Sequence, residues 1–215
     1  MKSLLASLTL FCLTTIALPA AAQNVVYDNG PVNGQEIGWT INLGYIVSDS
    51  FTVSNGNGNI GGMDFWAWLY PGDTVTSVEV QIGDQAFGNN LLDITVALTA
   101  SNCFTNQFGY SVCQEASTFS GPNLSNGTYW MSLGNANVPS GDPAYWDMNS
   151  GAGCQSPGCP SAAYDNNSFG TMPSESFTIL GQSSTSSGTT PEPGSILLLA
   201  SGALGVAGIL RRRLL

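Results

Sequence analysis

Histidine is absent from this 215-residue chain, and basic residues are nearly so. The four basic residues, set against 14 acidic ones, sit at the two ends as Lys2 and Arg211, Arg212 and Arg213. Every acidic residue except Glu192 lies between Gln23 and Thr190, a stretch with no Lys, Arg or His. Each absence excludes a chemistry. Without His there is no Ser-His-Asp or Cys-His arrangement, no imidazole metal ligand and no imidazole proton shuttle. Without an internal Lys there is no Schiff base and no Walker A phosphate loop. Without a basic patch phosphates stay unneutralised, so nucleic acid is not expected as a partner. The body also lacks sustained 3.6-residue periodicity with caps, and it lacks a fixed-period repeat, which argues against a solenoid.

The two ends read as targeting segments. Met1-Lys2 opens the chain, Leu4 to Leu18 is apolar, and Pro19-Ala20-Ala21-Ala22 offers a small-x-small site. Residues 1–22 therefore read as a secretory signal peptide, cut between Ala22 and Gln23, and imply passage through the Sec translocon. A retained transmembrane helix fits less well, since no charge follows the apolar run. A lipoprotein would need Cys12 in a small-residue lipobox, and Leu10-Phe11-Cys12 is not one.

At the other end, residues 181–190 (GQSSTSSGTT) form an uncharged linker of flexible composition. Pro191-Glu192-Pro193 follows, then the apolar run Ser195 to Leu210, then Arg211-Arg212-Arg213. As a helix the 16-residue run spans roughly 24 Å, short for a bilayer core. The Arg cluster acts as a stop that fixes the C-terminus in the cytoplasm, with the body outside the inner membrane.

This order of Pro-Glu-Pro, short apolar helix and terminal Arg cluster resembles the PEP-CTERM sorting signal, here over residues 191–215. The resemblance implies export in a Gram-negative bacterium that makes exopolysaccharide. It also implies processing near Pro191, Glu192 and Pro193 by an exosortase, and delivery to the cell surface or extracellular matrix. The same tail occurs on some ice-binding proteins, whose name the C-terminal domain sometimes carries. Ice binding needs a flat, regularly repeated Thr or Asn face, which this body lacks.

Residues 23–180 read as one all-β domain, an antiparallel β-sandwich of jelly-roll type. Ser77 to Ile82, Asp93 to Thr99 and Thr128 to Leu133 alternate apolar and polar. Val25–Tyr27, Ile46–Val53, Gly62–Tyr70, Pro143–Met148 and Ser176–Leu180 are further strand candidates. Turn signals such as Asn29-Gly30, Asn55-Gly56, Pro71-Gly72-Asp73 and Asn126-Gly127 lie between them.

Cys103, Cys113, Cys154 and Cys159 remain after signal removal. An even count in an oxidising compartment reads as two disulfides, with three possible connectivities. Local pairing, Cys103 with Cys113 and Cys154 with Cys159, is favoured, because Ser156-Pro157-Gly158 supplies a tight turn. A four-Cys zinc site competes, but the paired C-x-x-C knuckles are missing.

The run Met63 to Tyr70 is aromatic on both faces. Were Met63, Phe65, Ala67 and Leu69 the core face, Trp66, Trp68 and Tyr70 would stand in a row outside, about 7 Å per step. Such a row would stack on sugar rings; the competing reading is that it is covered, since large aromatics are mostly buried. Trp130 and Trp146 read as core or rim packing. Glu36, Glu79, Glu115 and Glu175 offer carboxylates for a glycosidase, but no spacing selects a pair. No cofactor is expected beyond a structural calcium ion, for which Asp142, Asp147 and Asp165 with Asn166 and Asn167 offer oxygens. The competing reading is that these residues simply mark turns. The expectation is a non-enzymatic, exosortase-sorted surface or matrix protein associated with exopolysaccharide. Alternatives are a carbohydrate-binding module using Trp66, Trp68 and Tyr70, and a secreted glycosidase.

Overall fold

A computed structural model describes residues 24–35, 37–56, 58–149, 163–166 and 174–182. Its regular elements are twelve strands: β1 (Val25–Asp28), β2 (Gly38–Thr40), β3 (Ile46–Val53), β4 (Ile60–Leu69), β5 (Ser77–Gly83), β6 (Leu92–Ala97), β7 (Thr99–Thr105), β8 (Ser111–Thr118), β9 (Gly127–Asn137), β10 (Tyr145–Asp147), β11 (Ala163–Asp165) and β12 (Phe177–Gly181). Among the described residues no helix is long and apolar enough to cross a membrane. The signal peptide, the Cys154–Cys159 pair, residues 183–190 of the linker and the anchoring run 195–210 lie outside the described residues, whereas Gly181 closes β12 and Gln182 N donates to the Asn59 carbonyl.

The strands form two antiparallel sheets. One runs β11-β3-β9-β5-β6. The other is built around β4, whose ten residues make it long enough for three partners. Along one edge β4 pairs with β8 from Gly62 to Leu69, and β7 adds beyond β8. Its other edge is shared: β12 takes Ile60 to Phe65, and β10 takes Ala67 and Trp68. β1 continues beyond β12, and β2 beyond β10.

Period-two alternation explains the packing. Met63, Phe65, Ala67 and Leu69 of β4 are buried on the core side. They join Val47, Phe51 and Val53 of β3, Val78, Val80 and Ile82 of β5, and Met131 and Leu133 of β9 in a single hydrophobic cluster. Trp146 and Phe177 complete it, ring centroids 5.6 Å apart and edge to face. Trp146 is thus core, as its sequence context suggests, and its indole N–H donates to the Ser176 carbonyl at 3.0 Å.

One expected strand divides. The alternation from Asp93 to Thr99 is continuous in sequence, but the chain changes sheets at Leu98. Up to Ala97 it pairs with β5; from Thr99 it pairs with β8. Leu98 N donates to the Thr76 carbonyl at the crossing. Alternation records which side of a ribbon is apolar and is blind to the partner.

Candidate functional site

The far face of β4 carries Asp64, Trp66 and Trp68, with Tyr70 just beyond the strand end, so the expected row lies on the side away from the core. It is not an open row. The β7–β8 hairpin folds aromatic rings onto it. The hairpin turn, residues 106–110, is organised by Asn106, whose Oδ1 accepts from Phe108 N and Tyr110 N, both at 3.0 Å. Gly109 takes φ +84°, a region costly for a side chain.

Phe104 lies 6.1 Å from Trp66, and Phe108 stacks on Trp68 at 6.0 Å and 28°. Tyr110 meets Trp68 at 5.8 Å, Tyr70 at 5.1 Å and, edge on, Tyr145 at 5.9 Å. Trp68 is consequently only 4% exposed, and its indole N–H donates to Asp147 Oδ1 at 2.6 Å. The middle of the expected sugar platform is therefore closed, because a partner strand that sequence alternation did not reveal brings its own rings over it. Surface aromatic area is supplied instead by Phe108 (57% exposed), Phe104 (40%) and Tyr70 (39%).

The hairpin is tied down on two sides. Cys103 and Cys113 are joined between β7 and β8, and Gln107 Nε2 donates to the Gln35 carbonyl at 3.0 Å. Two depressions flank the Phe108–Tyr110 ridge. One, about 380 Å³, is lined by Ile37, Gly38, Trp68, Phe108, Tyr110 and Tyr145. The other, about 240 Å³, lies between the same ridge and Tyr70-Pro71. Gly38 leaves room for this floor: a Cβ there would lie 2.7 Å from Tyr145 Cβ and 2.8 Å from the Trp146 carbonyl. The larger trough, about 790 Å³ between β6 and β8, is lined by aliphatic and hydroxyl side chains, with Phe119 its one ring.

The ridge phenols interact. Hydrogen bonding to Tyr70, then burial, raises the Tyr110 hydroxyl above its ordinary value. Burial, with Tyr110 and Tyr70 nearby, pushes Tyr145 up to about 12. The ridge therefore presents neutral hydroxyls at physiological pH.

A second polar cluster lies inside the molecule. Asp49 on β3 accepts at Oδ2 from Asn29 Nδ2 (3.1 Å), Ser174 Oγ (2.9 Å) and Glu175 N (2.8 Å), and at Oδ1 from Ser50 N (2.7 Å). Burial nonetheless pushes its carboxyl up to about 7. Glu175 is fully buried, and neither carboxylate oxygen has a hydrogen-bond partner. Burial, then Asp49 and Asp147, hold it well above the usual carboxylate range. Glu115 sits opposite Phe65 on β4, facing the core without a hydrogen-bond partner, and burial pushes it up to about 7.

Of the expected calcium ligands, Asp142 and Asp147 are described with their side chains, and Asn167 lies outside the described residues. Asp147 is buried, and its oxygens accept from Trp68 Nε1, Gly34 N (2.9 Å) and Asn33 N (2.8 Å). Asp142 is exposed in the turn before β10, where its carbonyl accepts from Asn42 Nδ2 at 2.9 Å. Asp165 is described through its backbone, paired with Val47. Among the described residues no group of three or more His, Cys, Asp or Glu could hold a metal ion. Of the glycosidase carboxylates, Glu115 and Glu175 are buried, Glu79 accepts from Gln81 Nε2 at 2.9 Å and from Asn135 Nδ2, and Glu36 lies outside the described residues.

Comparison with curated proteins finds no match. Comparison with family models finds one at the C-terminus, where residues 189–213 match the PEP-CTERM protein-sorting motif. That match covers the Pro-Glu-Pro triplet, the apolar run and the Arg cluster, so the chain carries a PEP-CTERM sorting signal and is an exported protein, held as a membrane-anchored precursor before exosortase processing.

Proposed function

We propose that this is a non-enzymatic protein of the cell surface or extracellular matrix, whose two sheets form a jelly-roll-like β-sandwich that contacts exopolysaccharide. Processing falls near Pro191 to Pro193, while the run 195–210 spans the inner membrane with Arg211 to Arg213 inside. The observation that carries the binding reading is the exposed Phe108–Tyr110 ridge between two depressions. Concave sites lined by rings with a few convergent polar groups are the usual form of ligand sites. The site is thus displaced from the Trp66-Trp68-Tyr70 row onto the hairpin that covers it. Catalysis draws no support from Glu115 and Glu175, which are buried.

Co-sedimentation of the full chain with the exopolysaccharide of its own host tests this. Wild type should pellet with the polymer and Phe108→Ala should remain in the supernatant. Equal pelleting of both would remove the ridge from the binding reading.

A further inference from the structure

Resting on that reading, we infer that the ridge selects uncharged glycan chains, one stretch of chain lying across both depressions with Phe108 and Tyr110 between adjoining sugar rings. Three observations lead there.

First, the residues lining the two depressions are aromatic, aliphatic, proline or glycine, with phenol hydroxyls as their only ionisable groups. Those hydroxyls both donate and accept, which suits sugar hydroxyls, and the ring faces suit sugar C–H surfaces. Asp147, which accepts from the indole N–H of the lining residue Trp68, is buried with its oxygens occupied.

Second, the surrounding field is negative. The stretch from Gln23 to Thr190 contains no basic residue, so no side chain can neutralise a uronate or sulfate. An approaching polyanion meets repulsion that salt screens but does not reverse.

Third, the depressions share Phe108 and Tyr110 and are otherwise lined by different residues, Ile37, Gly38, Trp68 and Tyr145 in one and Tyr70, Pro71 and Gly109 in the other. A ligand filling one leaves the other open, so contact grows as the chain lengthens across the ridge.

Binding of the full chain in detergent is measured against an uncharged linear oligosaccharide series, a polyuronate, and a cationic deacetylated amino-sugar polymer. Each is tested at low and physiological salt. The uncharged series should bind with little salt dependence and tighten with length until both depressions are spanned. Phe108→Ala should weaken it at least about tenfold. Because Phe108 is largely exposed, this variant should stay folded, with a melting temperature within a few degrees of wild type. Tyr110→Phe, which removes only a hydroxyl, serves as the second variant and should weaken binding more modestly. The cationic polymer should bind only at low salt and equally well to Phe108→Ala, as a response to the overall field. Phe108-dependent binding of the polyuronate would overturn the selectivity while leaving glycan binding intact. Equal affinity for the shortest and longest uncharged sugars would overturn the two-depression arrangement. Failure of every glycan to bind would defeat the underlying functional reading itself.

Discussion

Trp68 and Phe108 stack on one another and stand in opposite conditions, one 4% exposed and the other 57%. Truncating Trp68 to Ala removes a buried ring and the N–H that Asp147 accepts, so a loss of about 3–5 kcal/mol of stability is expected. Phe108→Ala removes mostly solvated surface and should cost under about 1 kcal/mol. Urea denaturation of the two variants checks the contrast; similar losses would mean the hairpin rings form one packed unit. The sequence showed which face of this strand is apolar core, because Met63, Phe65, Ala67 and Leu69 alternate cleanly. It did not show that the opposite row is roofed. The covering rings arrive some 40 residues later, from a turn whose aromatic content carries no period.

At the scale of the element, the β7–β8 hairpin is the least legible part of the fold and the part that shapes the surface. Every residue of β7 is exposed, so no alternation marks it as a strand. In β8, buried Val112, Cys113 and Glu115 mix types that no hydrophobic pattern would group. Among the long strands β5 is the most readable, because burial alternates residue by residue from Ser77 to Ile82 and imposes period two on its composition. Cysteine spacing was the one signal pointing to the hairpin, since Cys103 and Cys113 close a short loop around its tip. Cross-linking a loop of this size restrains the unfolded chain and stabilises by roughly 3 kcal/mol. Cys103→Ala should lower stability by about that amount and also loosen the tip, letting water reach Trp68. A red shift of tryptophan emission in the folded variant is the expected readout. An unchanged spectrum would mean that the Gln107 to Gln35 contact and ring stacking hold the hairpin without the cross-link.

For the whole molecule, the missing cations govern both handling and pH response. Residues 23–190 contain no trypsin site, so this stretch should survive trypsin intact even when unfolded and reduced, as a single band in electrophoresis. The same absence means that a buried carboxylate here has no cationic side chain to neutralise it. A proton is what remains among the chain's own groups. Asp49 and Glu115 are pushed up to about 7, and Glu175 well above its ordinary value, with burial the leading cause in each case. Glu175 faces Asp49 and Asp147, so ionising it adds repulsion to desolvation. Since these folded-state values lie above the unfolded ones, the folded chain holds more protons. The stabilising contribution is full below about pH 4, where both states are protonated, and is lost as pH rises through about 7 and beyond. The body should therefore be most stable in mild acid and lose several kcal/mol between about pH 5 and 9. Glu175→Gln keeps the shape and discards the charge, so it should match wild type near pH 5 and exceed it increasingly towards pH 9. Melting temperatures across that range decide the matter. A wild-type profile that is flat or rises with pH would show that these three carboxylates are solvated, and parallel profiles for the two proteins would take Glu175 out of the account.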